Sequence, residues 1–170
     1  MTNKSDFLEK LIGKQVYING NGKKRKGPDV VSGTLLYVKK DFLAVLTETG
    51  PKYIQRNHIK TIFNSFTKSY DNTANPILDN LHQYEVYEAD SFIELLRKAR
   101  YKYSTISSGG PNKVKGIIES VDDNSVNVVT ENAYVQIPLY HVRSLEFSLH
   151  EKNKDSDHDH DDKKDDKKKK

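Results

Sequence analysis

The stretch Gly27-Pro28-Asp29-Val30-Val31-Ser32-Gly33 returns later in the chain as Gly110-Pro111-Asn112-Lys113-Val114-Lys115-Gly116. The same offset of 83 carries Val45 to Val128, Thr47-Glu48 to Thr130-Glu131, Ile54 to Ile137 and His58 to His141. No gap is needed from Gly27 through Ile62, so the sequence reads as a tandem repeat. Upstream, Phe7 answers to Phe92 at an offset of 85, which puts two additional residues in the first copy. The Gly/Lys-rich stretch Asn19 to Lys26 is where a loop would take them. A period this long predicts two copies of a small domain rather than a solenoid of short units.

The expected organisation is a first helix-plus-barrel repeat over residues 5–66, a linker over 67–89, a second repeat over 90–149 and a charged tail over 150–170. Copies of about 60 residues lie near the lower limit for folding on one core, so each is expected to need the other. There is no cysteine, which excludes a disulfide framework and a thiolate zinc site. The opening Met1-Thr2-Asn3-Lys4-Ser5-Asp6 lacks the basic and apolar regions of a signal peptide, and no apolar run approaches the roughly 20 residues that span a bilayer. The expectation is a chain made in a cytoplasm and not exported, with no membrane partner.

Each copy opens on a helix signal. Asp6 with Glu9, and Ser91 with Glu94, have the capping-box spacing, where the first side chain takes a backbone N–H and the Glu reaches back. Phe7, Leu8, Leu11 and Ile12, and in the second copy Phe92, Ile93, Leu95 and Leu96, recur at helical spacing and predict one apolar face. The rest of each copy reads as β. First strands are expected at Gln15 to Ile18 and Tyr101 to Tyr103, and second strands at Val30 to Val38 and Val114 to Val121. Third strands follow at Phe42 to Leu46 and Ser125 to Val129, fourth strands at Tyr53 to Gln55 and Tyr134 to Ile137, and last strands at Ile59 to Phe63 and Val142 to Phe147. Pro28 and Pro111 fix φ at the loop exit, while Gly33 and Gly116 let the second strand bend or bulge. A helix and five short strands, with the second bent at Gly, give the order of a small SH3-like or Sm-like barrel. The fold class is therefore mainly β: two tandem barrels, each preceded by a short helix, and a disordered C-terminal tail.

Gly110 to Gly116, Asp122-Asp123 and the closing Tyr140-His141-Val142-Arg143-Ser144-Leu145 together resemble the spore coat protein B family of Bacillus. The first copy shares the pattern through Gly27-Pro28, Gly33 and His58-Ile59-Lys60-Thr61-Ile62, with Lys26 where the family has a first Gly. Glu88-Ala89-Asp90-Ser91-Phe92 resembles the acidic lead-in to a repeat. The resemblance covers most of residues 6 to 148. It implies a structural component of the outer spore coat, built by the mother cell during sporulation, whose partners are other coat proteins and further copies of itself. Better-known members of that family carry a long Ser/Lys/Arg-rich tail that a coat kinase phosphorylates; this tail offers only Ser156.

No catalytic constellation is expected, and no cofactor. His58 and His141 take matching structural places before the last strand, together with Gly27, Pro28, Gly33, Gly110, Pro111 and Gly116. His158, His160, Asp157 and Asp159 are the candidate metal ligands, in a tract from Glu151 to Lys170 that has no apolar residue and reads as a solvated charge run. Lys23, Lys24, Arg25 and Lys26 are the candidate polyanion contact. They support an alternative reading, an Sm-like RNA-binding protein. Nucleic acid is not the expected partner, because the net charge of +4 is a mild excess and one short basic run forms no groove.

Overall fold

The computed structural model describes residues 4–20, 30–64, 83–107 and 113–147. Gly27, Pro28, Gly110, Pro111, the Lys23 to Lys26 run, most of the linker and the whole tail lie outside the described residues. Among the described residues two short helices, α1 (Lys4–Glu9) and α2 (Phe92–Lys98), accompany one ten-stranded antiparallel sheet. The strands are β1 (Gln15–Asn19), β2 (Val30–Val38), β3 (Phe42–Thr47), β4 (Gly50–Gln55), β5 (Thr61–Asn64), β6 (Tyr103–Ser107), β7 (Lys113–Val121), β8 (Ser125–Val129), β9 (Tyr134–Pro138) and β10 (Ser144–Phe147).

In space the order is β5-β1-β2-β3-β4-β10-β6-β7-β8-β9. The first five strands and the last five thus follow one plan, and they meet where β4 pairs with β10. The mainly-β expectation holds. The sheet does not close, and the expected pair of closed barrels is replaced by a continuous sheet, because β4 spends its outer edge on β10 rather than on β5 of its own half.

Gly33 and Gly116 have the same physical reason. A Cβ on Gly33 would lie 2.2 Å from the carbonyl oxygen of Leu46, and one on Gly116 2.3 Å from that of Val129. Only glycine lets the second strand of each half press this closely onto the third. Both pairings slip just beyond, between Leu35 and Tyr37 and between Ile118 and Ser120, so a bulge sharpens the bend at matched positions. The bend folds each half over its own core. In the first half Leu11, Val16, Ile18, Leu35, Leu43, Val45 and Ile54 are buried together. Matched positions of the second half, among them Ile106, Ile118, Val126, Val128 and Ile137, are buried likewise.

The upstream register differs from the expected one. Gly33 faces Val16 and Gly116 faces Ser104, so the glycines are 83 apart but their partners 88. The excess in the first half is five residues, not two, and Tyr101 matches Gly13. Both sit at positive φ, Gly13 at 79° and Tyr101 at 63°, each donating its N–H to the matched carbonyl of Leu35 or Ile118. Tyr101 to Tyr103 is consequently a turn entering β6, and the expected first strand there is displaced onward. Asp6 lies inside α1 rather than at its cap. Ser91 does cap α2, accepting from Glu94 N–H at 3.3 Å, while Glu94 reaches back to the N–H of Asp90 at 3.1 Å.

Gly33→Ala and Gly116→Ala are each expected to cost about 3 kcal/mol, since neither backbone oxygen can retreat without breaking the ladder; chemical denaturation midpoints check this. Tyr101 is 71% exposed and pays for a left-handed backbone. Tyr101→Gly should therefore stabilise the chain by about 1 kcal/mol, read as a raised melting temperature.

Candidate functional site

The place where the halves join is the most developed interaction surface in the molecule. β10 lies antiparallel on β4 with Ser144 opposite Ile54, Leu145 opposite Tyr53 and Glu146 opposite Lys52. Gln55 donates its N–H to the carbonyl of Arg143 at 2.9 Å, and Arg143 donates onward to Ser107 at 2.7 Å, so the ladder runs unbroken from half to half.

Side chains cover the seam on both faces. On one, Lys52 and Glu146 form an ion pair at 2.5 Å. On the other, Phe42, Ala44 and Tyr53 present an apolar surface, and α2 rests on it through Phe92, Leu95 and Leu96 in one buried cluster. Phe42 meets Phe92 edge to face at 5.9 Å, and Tyr53 meets Phe147 edge to face at 5.7 Å, a geometry that the ring quadrupoles favour. Asp41 accepts from the N–H of Phe92 at 3.0 Å, giving the first turn of α2 a partner from the other half.

The phenols complete the seam. Tyr37 donates to the carbonyl of Tyr87 at 2.5 Å, and the N–H of Tyr87 donates to the Tyr53 hydroxyl at 2.7 Å. Burial pushes the Tyr53 phenol up to about 12, against the Tyr87 hydrogen bond, and burial together with Tyr53 and Glu88 raises that of Tyr37 further. Both stay protonated at neutral pH and serve as neutral hydrogen-bonding groups. Lys102 stands 4.1 Å over the Tyr87 ring.

His58 and His141 end matched 3₁₀ turns, Arg56–His58 and Leu139–His141. The seam brings the two turns to one end of the sheet, where the Tyr140 and His141 rings lie 4.2 Å apart. Burial, then Arg143, then His141 hold the His58 imidazole below its ordinary range, and its Nε2 is shielded from solvent without a partner among the described residues. A backbone hydrogen bond with Tyr140 opposes them. Among the described residues no group of three His, Asp or Glu is placed to hold a metal ion. The candidate metal ligands and the basic run lie outside the described residues.

Sequence reading passed over Asp41, Tyr53 and Phe42 as seam residues. The signal was a difference between matched positions: Phe42, Ala44 and Tyr53 of the first half answer to Ser125, Asn127 and Gln136 of the second. Two halves with like cores and unlike outer faces can be covered by a neighbour on only one of them. Similarly Phe7 matches Leu95, yet Phe7 is 60% exposed while Leu95 is fully buried. α1 ends at Glu9, so Leu11 and the exposed Ile12 fall in the turn after it and the expected four-residue helical face is not formed.

Fold and seam together define a mainly β protein in which one antiparallel sheet runs through both halves. No family model matches the chain, and no solved structure matches it. Spore coat protein B of Bacillus subtilis (strain 168) is similar, 26% identical over 136 residues that make up 79% of this chain and 33% of that protein. The chain spans about a third of the length of this curated relative. No helix among the described residues is long and apolar enough to cross a membrane.

Phe92→Ala is expected to cost about 3–5 kcal/mol, since it empties a site closed from both halves, whereas Phe7→Ala should stay within about 0.5 kcal/mol; paired denaturation curves check the contrast. His58 gives a pH signature. Its folded pKa lies below the unfolded value of about 6.5, so the unfolded chain binds the proton first and stability falls as pH drops through 6.5 toward the folded value. Above that window the effect vanishes, and His58→Gln should flatten the loss in melting temperature between neutral and mildly acid buffer.

Proposed function

We propose that this chain is a structural component of a bacterial spore coat, acting through protein–protein contacts and without catalysis. Two duplicated helix-plus-five-strand units of the Sm-like kind, left open because they share one sheet, form its body. It is synthesised in the mother-cell cytoplasm during sporulation and assembles with other coat proteins. The observation that carries this reading is the likeness to a spore coat protein along 79% of the chain. The residues quoted for it, Gly116 and the closing Arg143-Ser144-Leu145, sit where they serve shape: a close strand approach and the seam. The RNA-binding alternative draws no support from the seam, where Lys52 is already paired with Glu146.

A fluorescent fusion expressed from the native promoter tests the proposal. Signal should appear only during sporulation and form a layer around the developing spore. Diffuse signal in vegetative cells, with none on the spore, would overturn it.

A further inference from the structure

The seam uses only part of what the sheet offers. At the two ends, β5 and β9 each have, among the described residues, a strand neighbour on one side alone in the sheet order. These are the strands that match the seam pair: β5 answers to β10, and β9 to β4, at the same offset of 83. A sheet that joins its halves by laying a fifth strand on a fourth therefore carries the other fifth and fourth strands at opposite ends.

We propose that copies of this chain extend the sheet head to tail, β9 of one copy pairing antiparallel with β5 of the next. Carrying the seam register across by 83 puts Ile137 opposite Thr61, Gln136 opposite Ile62 and Val135 opposite Phe63. Backbone direction fits. Gln55 directs its N–H at the seam, so by alternation Tyr53 and Pro51 face it too. The matching residues of β9 are Pro138, Gln136 and Tyr134. Each edge thus carries one proline and two N–H donors, with the proline merely moved from one end to the other. Pro51 lies just outside the seam register, which runs from Lys52 to Ile54; with Pro138 in the place of Gln55, the outer pairing keeps the Gln136 donor and gains a second by extending one step to Tyr134.

Side chains set the strength. The position of the Lys52–Glu146 ion pair is taken by Val135 and Phe63, an apolar match. On the other face the apolar Phe42, Ala44 and Tyr53 are replaced by Ser125, Asn127 and Gln136, which hydrogen-bond within their own half. Gln136 donates to Ser125 at 3.1 Å, and Asn127 to Ser120 at 2.9 Å and to Asp122 at 3.3 Å. That leaves the Asn127 Oδ1 buried without a partner among the described residues, on the surface where a neighbour's α1 would rest. The outer joint gains the ladder but not the shared core, so it is reversible where the seam is permanent. Because the surfaces that meet are different, the contact is heterologous and continues into a ring or a filament. This inference stands on the strand order and goes beyond the coat reading.

The absence of cysteine allows a clean trap. Residues directly opposite in an antiparallel pair hold their Cβ atoms within about 5.5 Å, which a disulfide spans with small adjustment. Phe63→Cys and Val135→Cys chains, mixed under mild oxidation, should give a disulfide dimer that neither gives alone, and the double variant should give a ladder of higher species. Phe63→Cys dimerising alone as readily as in the mixture would mean two-fold β5 pairing and overturn the proposal. So would cross-linking no faster than with a Tyr101→Cys control. Light scattering on the unaltered chain gives a second readout, expected to show particle mass rising with concentration; one monomer mass throughout overturns the proposal. Failure here leaves the location of the protein on the spore untouched, since that is read in cells.

Discussion

Everything in this molecule depends on β4 accepting β10. That single pairing diverts β4 from its own half, opens what would be two small closed units and places α2 of the second half on the outer face of the first. The consequence is a core to which both halves contribute. Phe42, Ala44 and Tyr53 are buried with Phe92, Leu95, Leu96 and Leu145. Halves of this size bury too little apolar surface alone for comfort, and the seam supplies what each lacks.

The two halves are alike where they meet themselves and unlike where they meet each other. Inward positions repeat: Leu35 with Ile118, Val45 with Val128, Ile54 with Ile137. Gly33 and Gly116 repeat because any Cβ would strike the neighbouring strand's carbonyl. Outward positions diverge, since only the first half has its face covered by a helix from the other. The far face carries Ser125, Asn127 and Gln136 instead, the first two buried, and so is polar as the outer faces of terminal repeats in stacked proteins are.

Most of the strand plan was legible in the sequence because the offset of 83 aligned two independent copies of each pattern. Val30 to Val38 and Ser125 to Val129 are found where expected. The first strand of the second half was misread because Tyr101 holds the left-handed position that Gly13 holds in the first half; without a glycine to mark it, the turn looked like strand. The last strands begin later than expected, since residues 56–58 and 139–141 wind into 3₁₀ turns first. The seam itself was the least legible feature. Which edge a strand offers, and to whom, depends on backbone direction, and side-chain periodicity does not encode it. The one trace was the contrast of Phe42 and Tyr53 with Ser125 and Gln136, readable only once the copies are aligned.

If the seam makes one folding unit of the two halves, the slowest-exchanging amides on either side of it must open together. Native-state hydrogen exchange in a denaturant series measures this directly. Amides of β2 and β3 should converge on the same opening free energy and the same denaturant dependence as those of β7 and β8. Two separate limits, one for each half, would contradict the account.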